Sequence, residues 1–245
     1  MTSSSSSPLT PPPANGCALF LDFDGTLAPI QNDPDAVTLS ADEEAALGAL
    51  ADRLGGAVAV LSGRDVRDLS ARAPDAVWRV GGHGLEICAP GEAPRGAQHA
   101  PPAALAAAVE HLVAQTPGAR IEPKGPIIAV HYRAAPEAGP ALGVALEEIV
   151  ADVAGYSVQA GKMVFEAKPS AAHKGDALAR LMTQAPFKGR RPIMVGDDTT
   201  DEDGFETAQA LGGFGVKVGA GETVAAYRLA SIEDLWSWLE TAGDT

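Results

Sequence analysis

A short, mostly apolar run, residues 18–23, delivers two aspartates at its end: Asp22 and Asp24 straddle Phe23, and Gly25 and Thr26 follow at once. A near-continuous apolar run of this length suits a strand buried on both faces, as in the middle of a parallel sheet covered by crossover helices. Carboxylates are tolerated only where such a strand emerges, so Asp22 and Asp24 mark the C-terminal edge of the sheet. Gly25 ends the strand, and the backbone N–H groups of its turn can point at an anion.

The flanking sequence repeats the same theme. Ser40 and Glu43 form a capping box that opens an Ala/Leu-rich helix ending at Gly55 and Gly56, and residues 57–61 read as a second apolar strand. A helix over 65–73 and a strand over 77–80 follow. From residue 85 the pattern changes: strand-like segments at 127–133 and 157–166 alternate with Ala-rich helices at 103–114 and 141–153. Beyond it the alternation resumes, with helices at 174–183, 201–211 and 232–239 and strands at 192–195 and 214–218. The expectation is an α/β protein with a doubly wound parallel-sheet core, discontinuous over 16–84 and 167–245, and an inserted α+β cap over 85–166. Residues 1–15, a serine run followed by prolines, read as a disordered tail.

Ligands of such sheets bind at the C-terminal ends of the strands. The polar residues at or just past those ends are Asp22 and Asp24, Ser62 and Arg64, His83, and Asp197 and Asp198. One cleft would collect them.

Charge narrows the partners. Thirty-two acidic residues against eighteen basic ones give a net charge of -14, so the long-range field repels nucleic acid and anionic membrane surfaces, and neither is expected as a partner. An anionic substrate would need local cations or a metal. Cys17 and Cys88 fit no metal or disulfide spacing and read as plain thiols. The N-terminus has no basic n-region and no apolar h-region, and no apolar run is long enough to span a bilayer, so a cytoplasmic location is expected.

The chemistry follows from the acids. Asp22 is the candidate nucleophile toward phosphorus, forming an aspartyl-phosphate, and Asp24 the acid that protonates the leaving sugar oxygen and then deprotonates water. Ser62 and Gly63, in Leu61-Ser62-Gly63-Arg64, are candidates to hold phosphoryl oxygens, although a serine there could equally cap the next helix. Lys174 could neutralise the phosphoryl group and the nucleophile together. The acids of 197–203 could be explained by the helix dipole alone, but so many would repel one another without a cation. Hard carboxylate oxygens suit Mg2+, with Asp197 and Asp22 as its protein ligands. Asp198 and Asp201 would orient waters and Lys174, with Arg64 and His83 in supporting positions. Trp236 and Trp238 are expected to pack the last helix onto the sheet.

These segments, in this order, resemble the four signature motifs of the haloacid dehalogenase superfamily. That resemblance implies a metal also bound by the backbone carbonyl of Asp24. Further segments are similar to the trehalose-6-phosphate phosphatase family: His83-Gly84, Glu122-Pro123-Lys124-Gly125 with His131-Tyr132-Arg133, and Gly161-Lys162 with Glu166-Ala167-Lys168-Pro169. This implies hydrolysis of trehalose 6-phosphate, with a lid-like cap in which Lys124, His131, Tyr132, Arg133, Glu166 and Lys168 read the sugar hydroxyls. It also implies a functional partnership with a trehalose-phosphate synthase. Two other readings remain open at this point: a phosphatase for sucrose phosphate or mannosylglycerate phosphate, and a silent module that regulates such a synthase.

Overall fold

The computed structural model describes residues 11–12, 14–31, 33–96 and 99–242. The chain divides into two compact units, one formed by Met1–Pro94 with His173–Thr245 and the other by Arg95–Ala172. In the first stretch lie β1 (Cys17–Asp22), α1 (Ala41–Arg53), β2 (Val58–Leu61), α2 (Val66–Ser70), β3 (Trp78–Gly81) and β4 (Glu86–Cys88). The second unit holds α3 (Ala103–Ala114), β5 (Arg120–Lys124), β6 (Ile127–His131), α4 (Gly139–Ala151), β7 (Tyr156–Gly161) and β8 (Val164–Pro169). The first unit then resumes with α5 (Lys174–Leu181), β9 (Arg191–Gly196), α6 (Glu202–Ala210), β10 (Phe214–Val218), β11 (Tyr227–Leu229) and α7 (Ile232–Glu240).

The first unit is built on a seven-stranded sheet in the order β11-β10-β9-β1-β2-β3-β4. All pairings are parallel except that of β4 with β3. Every residue of β1 is buried, as the apolar run demands. Alternation sends Leu19 and Leu21 to one face, where they pack with Ile193, Val195, Leu47, Leu235 and Leu239. Phe20 faces the other side with Met194, Leu178, Phe187 and Phe205. The sequence-level helix signals act as expected: Glu43 accepts the Ser40 N–H at 2.7 Å, and the Ser40 hydroxyl accepts the Glu43 N–H at 3.3 Å. Trp238 is buried, and Trp236 packs against the same cluster while its indole N–H donates to the Leu27 carbonyl.

Three departures from the sequence reading have physical causes. β4, assigned by sequence to the inserted lobe, pairs antiparallel with β3, and the second unit begins after Pro94 and ends at Ala172. A three-residue antiparallel edge strand carries no long apolar run to announce it. The single strand expected over 157–166 is a hairpin, in which Gly161 pairs with Val164 across a turn where Met163 has φ 62°. Residues 1–10 and 13 of the expected tail lie outside the described residues, but Ala14 is buried and the Pro12 carbonyl accepts from the Trp238 indole, so the segment just before β1 is packed.

The second unit is a four-stranded antiparallel sheet, β5-β6-β8-β7. Ile128, Val130 and Ala167 turn one face toward Leu105 and Val109 of α3 and Leu146 and Val150 of α4. By alternation the other face carries Glu122, Lys124, His131, Gln159, Glu166 and Lys168. Among the described residues no helix is long and apolar enough to cross a membrane.

Phe20 stacks on Phe187 with ring centroids 5.3 Å apart at the centre of one layer. Phe20→Ala is expected to cost about 3–5 kcal/mol, read as a lower urea midpoint without a change in slope.

Candidate active site

The C-terminal ends of β1, β2, β3 and β9 bring the acidic motif residues of the first unit to one edge of the sheet. At its centre is Lys174, the first residue of α5 and only 2% exposed. Its ammonium donates to Asp22 Oδ1 at 2.5 Å and to Asp201 Oδ1 at 2.6 Å. Burial works against the charge on Lys174, but Asp201 and Asp22 outweigh it and hold the ammonium well above the usual lysine range. Asp22 is pushed well up from the ordinary carboxylate range, first by burial and then by Asp201 and Asp197, which together exceed the pull of Lys174. Asp22 and Asp201 share the one ammonium, and burial and Asp201 push the neighbouring Asp197 up as well.

Asp201 is completely buried beneath the end of β9. Its Oδ2 accepts the backbone N–H groups of Asp197 and Asp198, both at 3.0 Å. Only glycine fits at Gly196, since a Cβ there would stand 2.2 Å from the Asp201 carboxyl carbon. Gly25, with φ 93°, plays the same part for Asp197: its Cβ would meet Oδ2 at 2.4 Å. The Thr26 hydroxyl donates to Asp197 Oδ1 at 3.1 Å, and the Lys217 ammonium donates to the Asp197 main-chain carbonyl.

One carboxylate each from Asp22, Asp197 and Asp201 lies within 4.8 Å of the others. Asp201 is already engaged at both oxygens, by Lys174 on one and by two N–H groups on the other. Asp22 and Asp197 therefore remain as the hard-oxygen pair that fits a divalent cation, whose other positions water and a phosphoryl oxygen can fill.

Asp24, the acid of the sequence reading, is bound by a guanidinium. Arg64 takes both of its oxygens, Nη2 at 2.6 Å and Nε at 2.8 Å, while also reaching Asp68 at 2.8 Å. The Ser62 hydroxyl lies 3.4 Å from Asp24 Oδ2 and accepts the Arg64 N–H at 3.0 Å. His83, buried with φ 54°, lays its ring against Gly63. Asp198 is exposed and accepts the Thr199 N–H at 2.6 Å as a cap.

In the second unit, Lys124 Nζ lies 3.5 Å from Glu166, His131 is 2.7 Å from Glu122, and Lys168 donates to the Ala172 carbonyl. Arg133 lies beyond β6 and lines a cavity of about 260 Å³ with Arg120 and His131. Tyr132 departs from the others: it lies on the helix-bearing side, its ring stacked on Phe165 at 5.0 Å. Thr26 and Lys217 carry no role in the sequence reading. A signal for Lys217 existed, since it interrupts the otherwise apolar strand Phe214–Val218.

A parallel sheet with paired aspartates at the end of its central strand, and a lysine and a further acid returning after an inserted unit, define a phosphohydrolase of the haloacid dehalogenase type. A haloacid dehalogenase-like hydrolase from B. subtilis shares that fold, with a TM-score of 0.60 at 17% identity over 91% of this chain and 98% of its own. More narrowly, the chain belongs to the trehalose-phosphatase family, whose profile matches residues 20–233. It is 40% identical over 227 residues to trehalose-6-phosphate phosphatase of Escherichia coli strain K12, covering 91% of this chain and 85% of that one. The structure of Aspergillus fumigatus trehalose-6-phosphate phosphatase superimposes with a TM-score of 0.69 at 29% identity, covering 92% and 91% of the two chains.

The raised position of Asp22 has a measurable sign. An unfolded aspartate titrates near 3.8 and the folded one higher, so between the two values the folded state holds the extra proton and stability falls as pH rises. In chelator, the melting temperature of the native chain relative to that of Asp22→Asn is expected to fall as pH rises above about 4. A difference that stays constant or rises with pH would mean that the ion pair with Lys174 outweighs burial.

Proposed function

We propose that this chain hydrolyses trehalose 6-phosphate to trehalose and phosphate through an aspartyl-phosphate on Asp22. The observation that carries the reading is a family match running from residue 20 to 233, across the inserted unit as well as the acidic site. The acids alone name a phosphatase. The leaving group is chosen elsewhere, and a match confined to the core would leave it open.

In the proposed reaction the Asp22 carboxylate attacks phosphorus and the sugar oxygen leaves with a proton from Asp24. Asp24 then takes a proton from the water that releases phosphate. Because Arg64 holds both Asp24 oxygens in this structure, the acid step requires that carboxyl to leave the guanidinium. Lys174, the Ser62 hydroxyl and the Gly63 N–H hold the phosphoryl oxygens, while Asp201 fixes Lys174 from behind. Asp22, Asp197 and the Asp24 carbonyl would hold Mg2+, which would supply the remaining neutralisation of phosphoryl charge. Asp198 shapes the turn that carries Asp197, and His83 supports Gly63.

Lys124, His131, Arg133, Glu166 and Lys168 are proposed to read the sugar hydroxyls. Tyr132 is left out of that set because its ring is committed to Phe165. An enzyme that makes trehalose 6-phosphate is the functional partner implied. A cytoplasmic setting accords with two free, buried cysteines.

Asp22→Asn is expected to lower phosphate release by at least about 10³-fold; retention of activity would remove the covalent mechanism. In a panel of sugar phosphates with magnesium, trehalose 6-phosphate is expected to be hydrolysed fastest, and a better substrate in the panel would displace the assignment. Lys124→Met and Glu166→Gln should each raise KM for trehalose 6-phosphate about 10-fold or more, with little effect on a small aryl phosphate that has no sugar to read.

A further inference from the structure

β10 runs Phe214-Gly215-Val216-Lys217-Val218, and all five residues are buried. Phe214, Val216 and Val218 turn to one core layer, so alternation turns Lys217 the other way, where it is 4% exposed. In the parallel register Lys217 lies beside Gly196, the last residue of β9, and its ammonium reaches the main-chain carbonyl of Asp197, the next residue. Among the described residues this carbonyl is the one polar partner the ammonium has. A buried cation without a carboxylate partner is costly, so the contact is a poor device for stability alone.

The carbonyl it holds belongs to the peptide whose N–H, that of Asp198, is also held, by Asp201 Oδ2. The Asp197 N–H is held by Asp201 and its Oδ1 by Thr26, so with Lys217 three different parts of the chain restrain one residue. We infer that Lys217 is a positioning residue for Asp197, fixing the peptide so that the carboxylate is already aimed at the metal before the metal arrives. The inference rests on Asp22 and Asp197 being the metal ligands. Removing an outer contact of this kind typically weakens metal affinity by about 10- to 100-fold.

The sign of the effect separates positioning from plain electrostatics. A lysine charge close to a dication repels it, so if Lys217 acted only through charge, neutralising it would tighten metal binding. Positioning predicts the reverse. Removing a buried charge without a charged partner also should not lower the melting temperature of the metal-free protein, whereas a merely structural residue would lower it.

The test is calorimetric titration of the metal-free full chain with Mg2+, for the native protein, Lys217→Met and Lys217→Gln, with melting temperatures in chelator and activity at subsaturating and saturating Mg2+. The expected result for Lys217→Met is a Mg2+ Kd raised about 10-fold or more, an unchanged or higher metal-free melting temperature, and a larger loss of activity at subsaturating than at saturating Mg2+. Lys217→Gln keeps a donor without the charge and should lose less affinity, by at least about threefold. It carries the test if the Met variant does not fold. A folded variant that binds Mg2+ as tightly as the native chain, or more tightly, overturns the inference. Failure of the native chain to bind Mg2+ would instead overturn the ligand assignment on which it rests.

Discussion

Lys174 has its ammonium out of water, and taking such a group from solvent costs several kcal/mol unless close partners replace the lost hydration. Asp22 and Asp201 are those partners, and they stand 152 and 27 residues away in the chain. The contact is possible only if the end of β1, the start of α5 and the turn after β9 arrive at one point. The pairing of β9 beside β1 meets that condition, as does the return of the chain to the core after the second unit. Gly25 and Gly196 follow from the same demand, since any side chain there would occupy the space of the Asp197 or Asp201 carboxyl group.

The same ion group explains how a chain with a net charge of -14 can handle an anion. The acids are arranged around cations, with Lys174 between two of them and Arg64 on Asp24, and Asp22 and Asp197 are the proposed ligands of a divalent ion. Burial and mutual repulsion push Asp22 and Asp197 upward, and a dication bound to them would offset that repulsion. Stability and catalysis pull in opposite directions at this point, as is common where a protein keeps charged groups together for chemistry. Uncatalysed phosphate-monoester hydrolysis is slow enough that enhancements up to ~10²¹ are known, and no single group provides that. In the proposed reaction the nucleophile, acid, lysine and metal ligands act as a unit.

The inserted unit divides its labour by the two-residue period of its strands. One face is apolar and buried against α3 and α4, while the other presents Glu122, Lys124, His131, Glu166 and Lys168. A surface of oriented donors and acceptors discriminates best among ligands that differ in their hydroxyl groups, because an unmatched partner is left without a hydrogen bond. Tyr132, adjacent in sequence to His131 and Arg133, falls on the apolar side because one step along a strand reverses the direction of the side chain.

Much of this was legible before any coordinates. The apolar run ending at Asp22, the capping box at Ser40, the glycine after the acids and the resumption of strand and helix after residue 173 are local patterns, and local sterics, hydrogen bonding and burial periodicity suffice to read them. The short strands β4 and β11 and the hairpin at Met163 were not legible although their partners lie nearby in the chain, because three-residue strands and a tight turn carry no periodic signal, and the packing of Ala14 depends on residues far away in sequence. The residue types of the site, and the pairing of Lys174 with Asp22 and Asp201, could be named from the chain alone, whereas other partners could not. That Arg64 takes Asp24 and that Lys217 reaches the carbonyl of Asp197 depend on strand order and register. Burial of a charge is set by everything packed around it, and that is a property of the assembled fold.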